Sequence, residues 1–227
     1  MKEKTIIIQA SIILLCLIAG VLWALNFPYP SPLIKQFLEP KQRYPTAQIV
    51  EFVNNNSFPQ DFLEFFNRDP ERTPPPGNNL VSPADGFVRQ ILQKDGITYL
   101  MIQLTFWDVH IMRSPVSGIV ESIEEDGLLH FKSDPNDIIL LRGKVAPVQK
   151  ILTIATPAGK IKVRMITNYW ASRVKVWTHM GKQIEKGERI GQMLAGSTVV
   201  MELPGNLDLP VNTGQQVVAG ESIIFSY

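Results

Sequence analysis

The pattern of hydrophobic and polar positions changes twice along this chain. Residues 6–25 form one apolar run in which only Gln9 and Ser11 are strongly polar, and this run is long enough to span a bilayer as a helix. After residue 77, apolar residues occur instead in short or alternating runs separated by Gly, Pro and Asp, which is typical of an all-β domain. The sequence therefore predicts a mainly β protein with one N-terminal transmembrane helix.

The region between these two patterns predicts an extended segment followed by short helices. Prolines recur between residues 28 and 40, and apolar residues at helical spacing fill residues 46–67. The phenylalanines of these helices either dock on the bilayer surface or pack on the main domain. We therefore expect a transmembrane anchor over residues 1–27, a proline-rich stalk with membrane-proximal helices over 28–76, and a β-rich domain over 77–227.

A cleaved signal peptide is the alternative interpretation of the N-terminal run. The run is longer than the apolar core of a typical signal peptide, and no small-x-small cleavage site follows it, so an anchor is favoured. Basic residues occur on both sides of the run, and charge therefore leaves its orientation open.

Two internal repeats predict how the β domain is organised. Residues 82–88 match residues 114–120 as Ser-Pro-x-x-Gly-x-Val, and residues 181–190 match residues 214–223 as Gly-x-x-apolar-x-x-Gly-Glu-x-Ile. Paired turns of this kind predict a barrel-sandwich-like domain with quasi-twofold halves, by analogy with the folds of biotinyl and lipoyl domains.

Composition excludes several classes of function. A net charge of +1 gives no electrostatic footprint for nucleic acid. The single cysteine, Cys16, excludes an intramolecular disulfide and a thiolate metal cluster. The three histidines, His110, His130 and His179, are far apart in sequence, and we therefore expect no protein-held metal.

The Gly196-Ser197 bond lies between two apolar runs and allows two interpretations. Gly-Ser-Thr between strands is common as a turn or a bulge. Alternatively, the Ser197 hydroxyl attacks the Gly196 carbonyl of a strained backbone and converts the amide to an ester. Elimination and hydrolysis would then leave an N-terminal pyruvoyl group in place of the serine.

Two titratable residues are candidates for proton transfer. Asp85 follows a Ser-Pro turn, where it either satisfies local N–H groups or serves as a catalytic carboxylate. His110 precedes the second Ser-Pro turn and is either a structural histidine or a general acid and base.

Five stretches of the chain, in order, resemble the short prokaryotic form of the phosphatidylserine decarboxylase family: Phe65–Arg72, Val81–Gly86, Trp107–Pro115, Lys186–Gly191 and Ala195–Thr198. The resemblance implies self-cleavage between Gly196 and Ser197 and conversion of Ser197 into a pyruvoyl cofactor. It also implies decarboxylation of phosphatidylserine to phosphatidylethanolamine without any added cofactor.

The resemblance also implies roles for individual residues. Asp85 would orient or charge the base that activates Ser197, and His110 would be that base or protonate the product. Longer family members carry a second histidine where this chain has Arg113, whose guanidinium stays charged. We therefore expect His110 to take the base role and Arg113 to contact either Asp85 or the phosphate or carboxylate of the substrate. Arg173 is either a phosphate contact or a surface charge.

The partners implied by the resemblance are a phospholipid and a bilayer. We expect a single-pass protein of the cell membrane with a cytoplasmic catalytic domain, two cleaved chains that stay together, and a homodimer.

Three alternatives remain open from the sequence. One is a decarboxylase of another serine-headed lipid such as archaetidylserine. A second is a non-enzymatic, membrane-anchored barrel-sandwich adaptor, although no sustained heptads are present. A third is an inactive relative that never cleaves, against which Asp85, His110 and Ser197 argue.

Overall fold

The structure is a computed structural model that describes residues 2–26, 38–128, 138, 146–167, 173–194 and 198–227. Most of the predicted proline-rich stalk, His130 and the predicted cleavage bond between Gly196 and Ser197 lie outside the described residues. The chain divides into two compact units, Met1–Glu51 and Phe52–Tyr227, and each is described by itself.

The first unit contains helices α1 (Lys2–Asn26) and α2 (Pro40–Arg43), and α3 (Thr46–Asn55) begins in it. No helix among the described residues has the length and hydropathy of a membrane-crossing segment. The transmembrane helix predicted within residues 1–27 is thus not found in the described part of the chain.

The helical segment before the β domain continues in the second unit with α4 (Gln60–Phe66). This helix starts directly after Pro59, whose fixed φ of −58° suits a helix entrance. It ends at Asn67, where both the backbone N–H and the side-chain amide donate hydrogen bonds to the carbonyl of Leu63. The two short helices predicted between residues 46 and 67 are therefore confirmed.

Thirteen strands follow in the described residues: β1 (Asn79–Val81), β2 (Gly86–Lys94), β3 (Ile97–Gln103), β4 (Ile111–Arg113), β5 (Gly118–Asp126), β6 (Gln149–Thr156), β7 (Gly159–Ile166), β8 (Arg173–Val176), β9 (Gln183–Ile184), β10 (Arg189–Leu194), β11 (Thr198–Pro204), β12 (Gln216–Val217) and β13 (Ile223–Ser226). They form an eight-stranded sheet in the order β12-β2-β3-β11-β7-β6-β5-β9, a three-stranded sheet β4-β10-β8 and a pair β1-β13. The described pairings are antiparallel. The prediction of a mainly β protein is confirmed.

The two internal repeats occupy equivalent places in this sheet. Gly86 of β2 lies opposite Val217 of β12, and Gly118 of β5 lies opposite Ile184 of β9. The order β12-β2-β3-β11 in one half corresponds to β9-β5-β6-β7 in the other, and β11 pairs with β7 where the halves meet. Each copy of the first repeat is therefore paired with one copy of the second repeat, in the same register.

Steric crowding explains why both Ser-Pro repeats contain a glycine at the same position. A Cβ atom on Gly86 would lie 2.4 Å from the carbonyl oxygen of Gln103, and one on Gly118 would lie 2.5 Å from that of Ala155. Neighbouring strands approach these positions so closely that no side chain fits. The repeat thus marks the point where the first long strand of each half begins, β2 in one half and β5 in the other.

The core beneath the candidate site is built by alternation along β11. Val199, Met201 and Leu203 are fully buried in the main apolar cluster, whereas Val200 joins a second cluster on the opposite face of the sheet with Met101. Burying each such side chain contributes about 1.5–3 kcal/mol. Because β11 begins at residue 198, this central strand fixes the chain immediately after the predicted cleavage bond.

Candidate active site

Strand pairing fixes both ends of the predicted cleavage segment. Strand β10 ends at Leu194, which pairs with Arg173 of β8. Strand β11 begins at Thr198, which lies opposite Gln103 of β3 on one side and Ile166 of β7 on the other. The three residues between these strands, which include the predicted scissile bond, lie outside the described residues.

The loop between β3 and β4 ends at His110, beside strand β10. The backbone N–H of Met193 donates a 3.0 Å hydrogen bond to the carbonyl of His110. Within the loop, one carboxylate oxygen of Asp108 accepts bonds from the backbone N–H (2.6 Å) and the hydroxyl (2.7 Å) of Thr105. These bonds fix the turn that presents the histidine next to β10.

The side chain of His110 is fully buried and neutral. Its ring is stacked on that of Phe66, with 4.0 Å between centroids, and is hydrogen bonded to the backbone carbonyl of Asp108. Burial lowers the pKa of His110 to about 3, and the nearby Arg68 cation contributes in the same direction. An uncharged imidazole at neutral pH can accept a proton and return it.

The phenylalanine-rich helix α4 packs on the β domain through this loop. Phe62 and Phe65 each meet the ring of Trp107 edge to face, at centroid distances of 6.3 and 6.2 Å. Arg68 lies over the ring of Phe65 and donates hydrogen bonds to the carbonyls of Phe65 and Trp107. Of the two alternatives for these aromatic residues, packing on the main domain is the one observed.

Asp85 is buried and held by three neighbours. One carboxylate oxygen accepts a 2.7 Å bond from the backbone N–H of Ala219, and the other forms a 3.0 Å ion pair with Arg72. The backbone N–H of Val109 also donates to it. Burial raises the pKa of Asp85 and the Asp108 charge adds to that rise, whereas the two N–H groups and Arg72 oppose it.

The bond from Val109 connects the two predicted catalytic residues, because this residue directly precedes His110. The structure therefore brings the Asp85 carboxyl group beside the loop that carries His110. The shared neighbourhood is a buried carboxylate and a neutral imidazole next to the ends of the predicted cleavage segment.

Arg113 does not make the predicted contact with Asp85. Its guanidinium donates to the Asp69 carboxylate (2.9 Å), the Pro70 carbonyl (2.9 Å) and the Gly187 carbonyl (3.0 Å). Since Arg113 lies on β4, next to the turn before β10, its side chain reaches that turn first. The cation beside Asp85 is instead Arg72, which sequence reasoning missed. A contact from Arg113 to the substrate stays a prediction.

Residues 67–76, which we call the strap, connect α4 to β1. They include the charged residues Arg68, Asp69, Glu71 and Arg72. Within the strap, Asp69 binds both Arg113 and Arg189. Arg72 binds Asp85 and Glu221, each at 3.0 Å. The strap thus ties the turn before β10 to the turn before β13, which are equivalent turns of the second repeat. Its sequence signals were the Phe65–Arg72 stretch that resembles the family and a cluster of alternating charges between a phenylalanine pair and three prolines.

Arg173 is exposed at the start of β8, directly opposite Leu194. Its side chain is therefore exposed next to the last residue of β10, the strand that leads into the predicted cleavage segment. His179 is exposed in the turn that follows β8.

Comparison with known proteins agrees with this arrangement. The family model described as Phosphatidylserine decarboxylase matches residues 59–225. A protein named phosphatidylserine decarboxylase proenzyme from Streptomyces avermitilis is 34% identical over 162 residues, covering 69% of this chain and 70% of that protein.

Two further proteins of the same name are similar. The one from Solibacter usitatus is 30% identical over 165 residues, covering 72% of this chain and 78% of its own length. The one from Streptomyces coelicolor is 33% identical over 162 residues, covering 69% of each chain. This chain therefore belongs to the phosphatidylserine decarboxylase family.

Proposed function

We propose that this chain is a proenzyme that cleaves itself between Gly196 and Ser197 and then decarboxylates phosphatidylserine to phosphatidylethanolamine. Family membership supports this reaction, and the relatives are named as proenzymes of it. The single observation that carries the proposal is local. The ends of the predicted cleavage segment, the buried Asp85 and the neutral His110 meet around one loop.

The residues around the segment fit a pyruvoyl group made from Ser197. Thr198, the next residue, is 1% exposed, and its buried hydroxyl has no hydrogen-bond partner in the part of the chain that the structure describes. An unsatisfied buried hydroxyl is costly, and it is available to bond a polar group formed beside it. When formed, the pyruvoyl group supplies a carbonyl that serves as the electron sink for decarboxylation.

The proton transfers fall to Asp85 and His110. For self-cleavage, the neutral imidazole of His110 accepts the proton of the Ser197 hydroxyl as the oxygen attacks the Gly196 carbonyl, and returns a proton to the leaving nitrogen. Asp85 is assigned to hold the loop that carries His110 through the bond from the Val109 N–H, and in its ionised form it favours the imidazolium that forms transiently. During decarboxylation, the same imidazole is the candidate for moving a proton to the product carbon.

Headgroup recognition is assigned to arginines near the edge of the site. Arg173 is exposed opposite Leu194, where a guanidinium can meet the phosphate of an incoming lipid. Arg113 is 4% exposed and already holds Asp69, so a substrate contact from it would require that pair to open. Arg173 is therefore the favoured phosphate contact of the two.

Membrane attachment is part of the same proposal. Helix α1 exposes all its described side chains, and apolar ones such as Ile7 (64%) and Leu15 (65%) would be stabilised by transfer into lipid. We therefore assign the N-terminal helix as a single-pass anchor in the cell membrane, with the catalytic domain on the cytoplasmic side. An anchor also keeps a catalytic domain at a high effective concentration of lipid headgroups. A homodimer stays a prediction for the assembled enzyme.

Of the alternatives, family membership disfavours the adaptor, because the family model covers the whole β domain. An ether-lipid substrate is distinguished from phosphatidylserine only by its tails, and the assay below compares them.

The test is a decarboxylation assay on the full chain in detergent micelles. Mixed micelles carry either phosphatidylserine or archaetidylserine, and the amine-headed product is measured over time, with Ser197→Ala as the matched uncleavable control. We expect the phosphatidylserine product from the wild type only, with activity abolished by borohydride, which reduces ketones. Equal activity in Ser197→Ala would contradict the pyruvoyl assignment, and conversion of archaetidylserine alone would contradict the substrate assignment.

A further inference from the structure

We propose that Arg72 of the strap is a positioning residue for self-cleavage, which acts by keeping the Asp85 carboxyl group ionised and oriented toward the loop that ends at His110. This inference rests on the proposed self-cleavage and extends it to a residue outside the cleavage segment and its proton-transfer pair.

The contact itself is direct and buried. The Nη2 atom of Arg72 lies 3.0 Å from one carboxylate oxygen of Asp85, and the two side chains are 14% and 12% exposed. The other oxygen is held by the backbone N–H of Ala219 at 2.7 Å. With both oxygens occupied from different elements, the carboxyl group cannot rotate without breaking one of these bonds.

Three elements packed against Asp85 set its charge. The strap contributes the Arg72 cation, and the turn before β13 contributes the backbone N–H of Ala219. The loop between β3 and β4 contributes the N–H of Val109 and the opposing charge of Asp108. Burial favours the protonated form of Asp85. The nearby Asp108 carboxylate makes ionisation of Asp85 harder still, because like charges repel. Arg72 is the cation that works against both effects.

The guanidinium serves two carboxylates at once. While Nη2 binds Asp85, Nη1 binds Glu221 at 3.0 Å, and Glu221 also accepts the backbone N–H of Thr73. The second ion pair therefore uses a different nitrogen of the same planar group. A lysine would provide a point charge without this fork, so we expect Arg72→Lys to restore only part of the function.

Glu221 offers a matched control, because Glu221→Gln removes an ion pair of equal length from the same guanidinium and leaves Asp85 with its cation. Arg72→Met breaks both ion pairs of the guanidinium and Glu221→Gln breaks only one, so we expect the larger loss of stability in Arg72→Met. Loss of Asp85 ionisation should occur in Arg72→Met alone.

The experiment follows self-cleavage of full-length proenzyme made by cell-free synthesis in detergent. Samples are shifted to buffers from pH 5 to 9, and the rate at which the fragment 197–227 appears is measured for the wild type and the three variants. His110 does not titrate across this window, since its pKa is about 3. Thermal unfolding of each proenzyme is recorded in parallel.

We expect Arg72→Met to cleave at least tenfold more slowly than the wild type at pH 6 and to approach the wild-type rate near pH 9. Arg72→Lys should fall between them, and Glu221→Gln should follow the wild-type profile within about threefold. An Arg72→Met profile that coincides with the wild type, or one lowered equally at every pH, would overturn the inference.

Two other outcomes are also decisive. If Arg72→Met does not fold, the pH profile of self-cleavage by Arg72→Lys is the test. An Arg72→Lys profile that coincides with that of the wild type would overturn the inference. If the wild type itself never cleaves while folded, the proposed function fails, which is a different result from cleavage that ignores Arg72.

Discussion

The rings of Phe66 and His110 are stacked, with centroids 4.0 Å apart and an interplanar angle of 30°. This contact joins the last turn of α4 to the loop between β3 and β4, and it excludes water from the imidazole. Burial is the main reason that the pKa of His110 lies near 3, so the helix that closes over the loop also sets the charge state of the proposed base.

The first prediction concerns catalysis by His110. His110→Gln keeps a polar side chain but cannot carry a proton between groups, so we expect self-cleavage to slow and decarboxylation per cleaved molecule to fall by about 10²–10⁴-fold. Phe66→Leu is the matched variant, because it removes the stacked ring and keeps the imidazole. The rate is normalised to the amount of fragment 197–227, which separates loss of chemistry from loss of processing. Near-normal turnover by cleaved His110→Gln would remove this residue from the mechanism.

A second prediction concerns the strap. Asp69→Asn removes the partner of the buried Arg113, and since the Asp69 side chain is itself 30% exposed, we expect a loss of about 1–3 kcal/mol in the free energy of unfolding. Glu71→Gln weakens the exposed ion pair with Arg189 and should change the free energy of unfolding by about 0.5 kcal/mol or less. Chemical denaturation of the uncleavable Ser197→Ala proenzyme provides the comparison. Equal losses in the two variants would show that the strap is not held by Asp69.

The third prediction is a pH dependence of stability. In the folded state the pKa of His110 is about 3, against 6.5 when exposed, so the unfolded chain binds more protons between these values. This residue therefore makes the protein less stable as the pH falls from about 6.5 towards 3. Asp85, with a raised pKa, has the opposite sign, because protonation below its folded pKa favours the folded state.

Thermal unfolding between pH 4 and 7 tests this sign. In the Ser197→Ala background, His110→Gln should flatten the loss of stability on acidification, whereas Asp85→Asn should steepen it. If both variants follow the parent curve, His110 is not buried in the neutral form.

A fourth prediction concerns the lipid headgroup. Arg173→Gln should raise the KM for phosphatidylserine by about 2–5-fold with little change in kcat, since an exposed ion pair contributes about 1 kcal/mol or less. Lys160→Gln, which removes an exposed cation paired with Glu121 on β5, is the control and should leave KM unchanged. A fall in kcat alone would place Arg173 in the chemistry instead of in headgroup binding.

Local patterns were enough to predict the β domain and the two short helices, because strand alternation, turn residues and helical spacing are visible over a few residues. The repeats also predicted that the β domain has two equivalent halves. If each copy of the Ser-Pro repeat pairs with one copy of the second repeat, the two copies must occupy equivalent positions in the sheet. Gly86 and Gly118 confirm this, as each lies against the backbone of a neighbouring strand.

The part of the site that the sequence did not predict depends on long-range pairing. Arg72 is separated in the sequence by 13 residues from Asp85 but by 149 residues from Glu221. No local pattern indicates which distant carboxylates an arginine side chain will contact. The same limit explains the expectation that Arg113 would meet Asp85. The phenylalanines of α4 were ambiguous for another reason, because the same apolar face serves for packing on a domain or on a bilayer.

The measurement that tests the central claim most directly is the intact mass of the purified full-length chain beside that of Ser197→Ala. The account predicts that the wild type separates into residues 1–196 and a C-terminal fragment whose first residue is a pyruvoyl group, while the variant keeps the mass of the whole chain. A folded wild-type chain that retains its full mass would contradict self-cleavage, and with it the proposed decarboxylase activity.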